Sequence, residues 1–396
     1  MNKKKKILIV GNLYALAHKL SKEVEKVYVV PGNPAISEFA ECVDIRENNI
    51  PELLNFVLEN DIDLTIAISK PAIKADIAGI FQANEKLVFA PLAECSEFIT
   101  SYAQAKRFLY KLHAPTPKFG IFEKLPIALD YLKNANYPLI ISNDSRSKAY
   151  CCTTLERAKF YVENLFNSDE SKIIIEEFVY GTNFTLYCVT DGYHALPITT
   201  VNNYIFTENG DGGHFTSGIG CYTPAYKVSF EVEQKIFNEV ILKVLNYTQK
   251  NNNAYLGIIA VNAVETSNGE FCIRDFKHFM EDFDAQAVLN LVEEDLINLF
   301  EACANGFFAD EYEDIMINNM ASVACMINSR KNIQLSNMEL LDSDINLLSD
   351  NNISTRMILT ATAKTISRAK EILKEDIDII KFNGMKYRSD IVGWNF

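Results

Sequence analysis

Residues 7–12 read ILIVGN, and the fold is decided there. Four consecutive apolar residues stopped by Gly11-Asn12 predict a short strand. A helical pattern follows over about 13–25, and then VYVV at 27–30, stopped by Pro31-Gly32-Asn33. A helix near 51–59, a strand at 63–68, a helix near 72–83 and a strand at 87–90 continue the alternation. Strands and helices alternating at this spacing imply a parallel sheet with helices on both faces. Ligands bind at the carboxyl ends of such strands, where Gly11, Asn12, Gly32 and Asn33 stand.

From about residue 96 the pattern changes to mixed α+β. A helical stretch stops before Pro115, and strands are expected at 119–122, 138–142 and 172–180. The polar loop NDSRSKA at 143–149 separates the second of these from a helix near 154–166. A helix over 229–250 leads to two apolar runs around Ser267-Asn268-Gly269, a hairpin signal. A helix over 284–305 follows. The tail reads as a strand at 356–363, a helix at 364–374 and a closing strand near 378–387. The expected division is an N-terminal α/β domain at 1–95, a central unit at 96–315 (subdomains roughly 115–180 and 181–315) and a small α+β module at 316–396.

The 396 residues carry a net charge of −14, which argues against nucleic acid as a partner. Nine cysteines without a C-x-x-C pair read as reduced, mostly buried thiols. No apolar run approaches the roughly 20 residues of a membrane span. The expectation is a cytoplasmic protein with small-molecule partners.

The order of short motifs then resembles phosphoribosylamine–glycine ligase, also called glycinamide ribonucleotide synthetase, a family of the ATP-grasp fold. The motifs are VGN (10–12) with ALAHKL (15–20), PGN (31–33), APTP (114–117), TTLERA (153–158), IIEEFVYG (174–181), DGYHALPI (191–198), GDGG (210–213) with TSGIGCYTPA (216–225), TATAKTISRAKEI (360–372) and YRSDIVGW (387–394). The resemblance implies ATP and Mg²⁺ as cofactors, and glycine and phosphoribosylamine as substrates. It also implies a role for the glycine-rich stretch 208–225. There Asp211, Thr216, Ser217, Gly218 and Gly220 would line a substrate site, since bare backbone lets N–H groups converge on an anion. Glu176, Glu177, Phe178 and Val179 would receive adenine and ribose, with Asn183 at the place of a family glutamate.

The sequence also departs from the family. ATP-grasp chemistry makes an acyl phosphate, and the transferring γ-phosphate needs cations around it. Two family lysines align with Tyr102 and Ser142. Lys148, Arg146 and Lys106 are the candidate replacements, each also readable as ordinary surface charge. The metal-binding Glu and Asn align with Asp275 and Lys277, and an ammonium has no lone pair for a cation. Glu281, Asp282 and Asp284 are either compensating ligands or acidic residues at a helix start. The family's first loop has lost its Gly-Gly-Arg-Glu-His core, and a family G-P-E-x-P reads here Ala67-Ile68-Ser69-Lys70-Pro71. Two functions follow: an ATP-dependent carboxylate–amine ligase with altered phosphate and metal sites, or a non-catalytic relative that binds a nucleotide or purine precursor, or acts as a partner subunit.

Overall fold

The computed structural model describes residues 4–168, 170–251, 253–329, 341–350, 354–380, 382 and 384–393. Five parallel strands open the chain: β1 (Lys6–Val10), β2 (Lys26–Val30), β3 (Glu41–Cys42), β4 (Leu64–Ala67) and β5 (Val88–Phe89), in the order β3-β2-β1-β4-β5. The apolar run at 7–10 is central because both of its faces are covered. Ile7 and Ile9 pack with Leu16 and Leu20 of helix Tyr14–Ser21, while Leu8 and Val10 pack with Leu53 and Phe81 on the other side. The helix expected at 72–83 is two, Lys70–Lys74 and Ile77–Ala83, because Asp76 between them adopts φ 58°.

A second, four-stranded antiparallel sheet holds β6 (Phe119–Phe122), β7 (Leu139–Asn143), β8 (Ala149–Cys152) and β9 (Ile173–Glu177) in the order β6-β9-β7-β8. Helices Leu125–Lys133 and Leu155–Asn167 cover it through Ala128, Leu132, Ala158 and Val162.

The largest sheet contains β10 (Thr182–Asp191), β11 (Ala195–Glu208), β12 (Gly212–Thr223), β13 (Leu256–Glu265), β14 (Phe271–Lys277), β15 (Ala321–Ser329), β16 (Asp344–Asp350), β17 (Ser354–Ala363) and β18 (Lys386–Tyr387). Its order is β14-β13-β10-β11-β12-β15-β17-β16, with β18 on β15. The hairpin expected at 267–269 joins β13 to β14, with Gly269 at φ 76°. The helix expected over 284–305 is broken into Asp282–Leu289 and Leu296–Asn305, the second capped by Asp295. The tail helix runs further than expected, Ile366–Ile379, so the closing strand shrinks to Lys386–Tyr387. Trp394, the end of the last resembling motif, lies outside the described residues. No described helix is long and apolar enough to cross a membrane.

The glycine-rich stretch 208–225 is mostly strand β12, preceded by a turn at 209–211. Two of its glycines answer to packing. A Cβ on Gly218, at φ 139°, would stand 2.2 Å from the Phe283 ring, and one on Gly220 would stand 2.3 Å from Ile391.

Candidate functional site

The centre of the site is placed by a short loop. Helix Tyr102–Lys111 begins at Ser101, whose hydroxyl accepts from Gln104 N–H. The Asp144 carboxylate accepts from the Ala103 N–H at 2.7 Å and from the Ser101 hydroxyl at 2.8 Å, which docks loop 144–148 on the positive end of this helix. Asn143 holds the other side. Its side-chain oxygen accepts from Lys148 N–H at 3.0 Å, and its amide donates to Ser145, Ser147 and Glu170. Between these anchors Arg146 is held at φ 60°, a conformation that costs a non-glycine residue roughly 1 kcal/mol.

From there Arg146 reaches inward. Its guanidinium bonds the Asp275 carboxylate on β14 and lies 3.5 Å from Glu176 on β9. It also covers the Tyr102 ring, 4.3 Å from the centroid. Glu176 is met from its other side by Lys106 Nζ at 2.6 Å, and Tyr102 donates its hydroxyl to the carboxylate at 2.5 Å. Lys106 is fully buried. Burial alone would push the Glu176 carboxyl up, but Lys106 and Arg146 outweigh it and hold the group below its usual range. Asp275 is likewise pushed up by burial and pulled down further by Arg146, Arg274 and Lys277. Two cations and two carboxylates, from a helix, a loop and two strands, thus close on each other.

Behind Asp275 a buried polar chain forms the floor. Asn262 donates to Asp275, and Thr185 Oγ1 lies 2.7 Å from the amide oxygens of both Asn262 and Asn203. Asn203 donates to Asp284 at 2.8 Å, and Tyr187 donates to the same carboxylate at 2.5 Å. Asp284 is therefore a buried structural acceptor, and burial pushes its carboxyl up. Glu281 pairs with Lys277 at 3.3 Å.

Above this floor lies a cavity of about 440 Å³, within the range of small-molecule sites. Lys70, Arg146, Arg274 and Lys277 face it, together with Asp275, Glu281 and Thr216. A second cavity of about 430 Å³ shares Lys70, Lys277 and Glu281 and extends to Gly11 and Asn12. Beside it His278 lies 2.6 Å from the Ile68 carbonyl through Nε2, while its buried Nδ1 has no partner.

The expected site residues are distributed unevenly over this geometry. Arg146, Asp275, Lys277 and Thr216 meet at the first cavity, and Gly11 and Asn12 at the second. Lys106 and Glu176 form a buried pair with each other. Lys148 turns outward to Glu170 at 3.4 Å. Gly32 packs on Cys42, and Asn33 caps a local turn by accepting from Ile36 N–H at 3.0 Å, so neither lines these cavities. The side chains of Asp211 and Ser217 lie outside the described part. Glu177, Phe178, Val179 and Asn183 surround a hinge space that Phe215, Ile205 and Arg146 reduce to about 20 Å³. That is room for about one water. Sequence reading passed over Arg274, Asn262 and Thr185. The one available signal was an arginine inside an apolar strand, CIRDF at 272–276.

A divalent cation does not fit these residues. Both Asp275 oxygens already accept from N–H donors, Arg146 on one and Asn262 on the other, and the next side chain on that face is the Lys277 ammonium. Among the described residues no group of three or more His, Cys, Asp or Glu is placed to hold a metal. For ATP the fit is divided: the cationic cavity suits phosphate groups, and the closed hinge does not admit a purine ring.

Comparisons with known proteins agree with this architecture. Residues 5–98 match the model of the phosphoribosylglycinamide synthetase N domain, and residues 100–284 match that of its ATP-grasp (A) domain. The phosphoribosylamine–glycine ligase of Caldanaerobacter subterraneus subsp. tengcongensis is 26% identical, over 98% of this chain and 99% of the relative. That of Salmonella typhimurium is 29% identical, over 76% of this chain and 74% of the relative. Among solved structures, phosphoribosylamine–glycine ligase from Thermotoga maritima superposes with a TM-score of 0.78 at 19% identity, over 98% of this chain and 100% of the other. The biotin carboxylase domain of Hydrogenobacter thermophilus 2-oxoglutarate carboxylase, solved with MgADP, gives 0.73 at 11%, over 98% and 92%. With an N-terminal parallel sheet leading into the two antiparallel sheets of an ATP-grasp unit, and with both family models matched in order, the chain belongs to the phosphoribosylglycinamide synthetase family.

Proposed function

We propose that this chain is a phosphoribosylamine–glycine ligase-type protein of purine biosynthesis that keeps a small-molecule site and has given up ATP- and Mg²⁺-driven ligation. The closed ion network of Lys106, Glu176, Arg146 and Asp275 carries this reading. Acyl-phosphate chemistry depends on cations held free to face a transferring phosphoryl group. Here Lys106 and Arg146, two of the candidate replacements for the absent lysines, are spent on the chain's own carboxylates. Prying either from a buried partner leaves an uncompensated charge, at a cost of about 3–5 kcal/mol. Incubation with ATP, Mg²⁺, glycine and phosphoribosylamine is expected to release no ADP or phosphate above the protein-free blank. Turnover near the 1–10³ s⁻¹ typical of enzymes would sink the reading.

A second reading, a working ligase of the same kind, draws support from the 98% of the chain that aligns with a ligase and from the retained cavity. The same assay separates the two.

A further inference from the structure

Helix Tyr102–Lys111 presents two different faces. Tyr102 and Lys106 look inward to Glu176. Gln104, Arg107, Phe108 and Lys111 follow the i, i+3, i+4, i+7 spacing of a single helical stripe on the other side. That stripe walls a further cavity of about 400 Å³, bounded also by residues 94–98 and by the end of helix Leu242–Lys250. The cavity shares no lining residue with the two in the cleft.

Its floor is aromatic. Phe98 stacks on Phe108 with ring centroids 4.6 Å apart, and Tyr247 meets Phe108 edge-on at 5.1 Å. Its rim is charged, with the signs segregated. Glu94 and Glu97 lie on the segment before the helix, and Arg107 and Lys111 on the helix's second half. The signs balance, yet among the described residues none of the four makes an ion pair. Neutral groups keep them apart. Gln104 donates to Glu97 at 3.1 Å and accepts from Arg107 at 3.4 Å. Lys111 donates to the Tyr247 hydroxyl at 2.5 Å and covers that ring, 4.5 Å from its centroid. Arg107 thus keeps most of its guanidinium donors, and both carboxylates keep lone pairs, for whatever enters the cavity.

This arrangement selects its occupant by charge. A molecule with one charge meets attraction at one end of the rim and repulsion at the other. A molecule with an ammonium and a carboxylate on a compact apolar body meets attraction at both ends, with aromatic surface between them. The volume is in the range of small-molecule sites.

We infer that this cavity is a second small-molecule site, which binds a free amino acid with a large apolar or aromatic side chain. The ammonium lies toward Glu94 and Glu97, and the carboxylate toward Arg107 and Lys111. The site is separate from the cleft and does not depend on how the cleft is read. No covalent step is involved.

The test is titration calorimetry of the whole chain with L-phenylalanine, which is expected to bind. Glycine lacks a side chain for the aromatic floor, and 2-phenylethylamine and 3-phenylpropionate each lack one charge; each should bind about tenfold more weakly or worse. Glu97→Gln should weaken L-phenylalanine by about tenfold while sparing 3-phenylpropionate, which has no ammonium. Arg107→Gln should weaken L-phenylalanine while sparing 2-phenylethylamine, which has no carboxylate. Lys124→Gln, exposed at the start of helix Leu125–Lys133, should change nothing. Both rim variants should melt with the parent, since neither side chain makes an ion pair; this separates lost binding from lost folding. The inference is overturned if L-phenylalanine does not bind, or if either single-charge analogue binds as tightly. It is overturned too if Glu97→Gln and Arg107→Gln bind L-phenylalanine as before, which would place the amino acid elsewhere. Ligase turnover by a protein that binds L-phenylalanine at this rim would reject the reading of the cleft alone.

Discussion

Arg146 and Asp275, 129 residues apart, form an ion pair that ties the loop after β7 to the last residues of β14. Asp275 also accepts from Asn262, so its buried carboxylate is saturated from both sides. Arg146→Met should therefore destabilise the protein by about 3–5 kcal/mol, because it strands a buried negative charge. Adding Asp275→Asn should recover at least ~1 kcal/mol of that loss, as a coupled pair requires. Denaturant midpoints for the two single variants and the double would test this, and strict additivity would show that the pair is not coupled.

Lys277 stands where a metal-binding oxygen is expected, but it is not the only obstacle to a cation. Lys277→Asn alone should gain no Mg²⁺ binding, since Arg146 still occupies Asp275. Lys277→Asn combined with Arg146→Ala frees both positions and should gain Mg²⁺ affinity, measured by calorimetry. A gain from the single change would mean that the Arg146 contact is readily displaced.

The glycines of 208–225 should not be equivalent. Gly218→Ala drives a methyl into Phe283 at 2.2 Å and should cost roughly 3 kcal/mol or more. Gly210, at φ 67°, has no atom within 4 Å of its Cβ position, so Gly210→Ala should cost only about 1 kcal/mol, from the backbone. Equal melting temperatures for the two variants would contradict this packing account.

His278 should make the fold acid-sensitive. Burial, with help from Lys70 and Lys277, pushes its imidazole down to about 4, against the contact with the Ile68 carbonyl. The unfolded chain takes up a proton near pH 6.5, whereas the folded chain resists until about 4. In that window the unfolded state binds more protons, so stability falls as pH drops, by up to ~3 kcal/mol in all. His278→Gln, which can keep an N–H to Ile68, should flatten the melting temperature between pH 6.5 and 4. An unchanged slope would assign the acid sensitivity to other groups.

Much of the fold was legible because local signals agreed with it. ILIV, VYVV and the Ser267-Asn268-Gly269 turn each carry their structure in a few consecutive residues. Where the reading slipped, a local break decided: the left-handed Asp76 splits one expected helix, and the segment before the Asp295 cap splits another. The site was less legible, since its logic is one of distant partners. Sequence singles out Arg146, Lys106, Glu176 and Asp275, but not that they neutralise one another. Nor does it show that a slipped register turns Arg274 into the cavity, because alternation along CIRDF assigns it to the opposite face.

Strand β12 is hydrogen-bonded along both edges, to β11 on one side and to β15 through Gly220–Thr223 on the other. The tail is thus a continuation of the same fabric and not an appendage to it. Cutting the chain after residue 315 would bare a row of unpaired amides and carbonyls, the kind of raw border that recruits a second molecule. Evolution can rewrite the charged pocket at one end of this sheet residue by residue. The C-terminal segment has to be inherited with the rest as one piece of cloth.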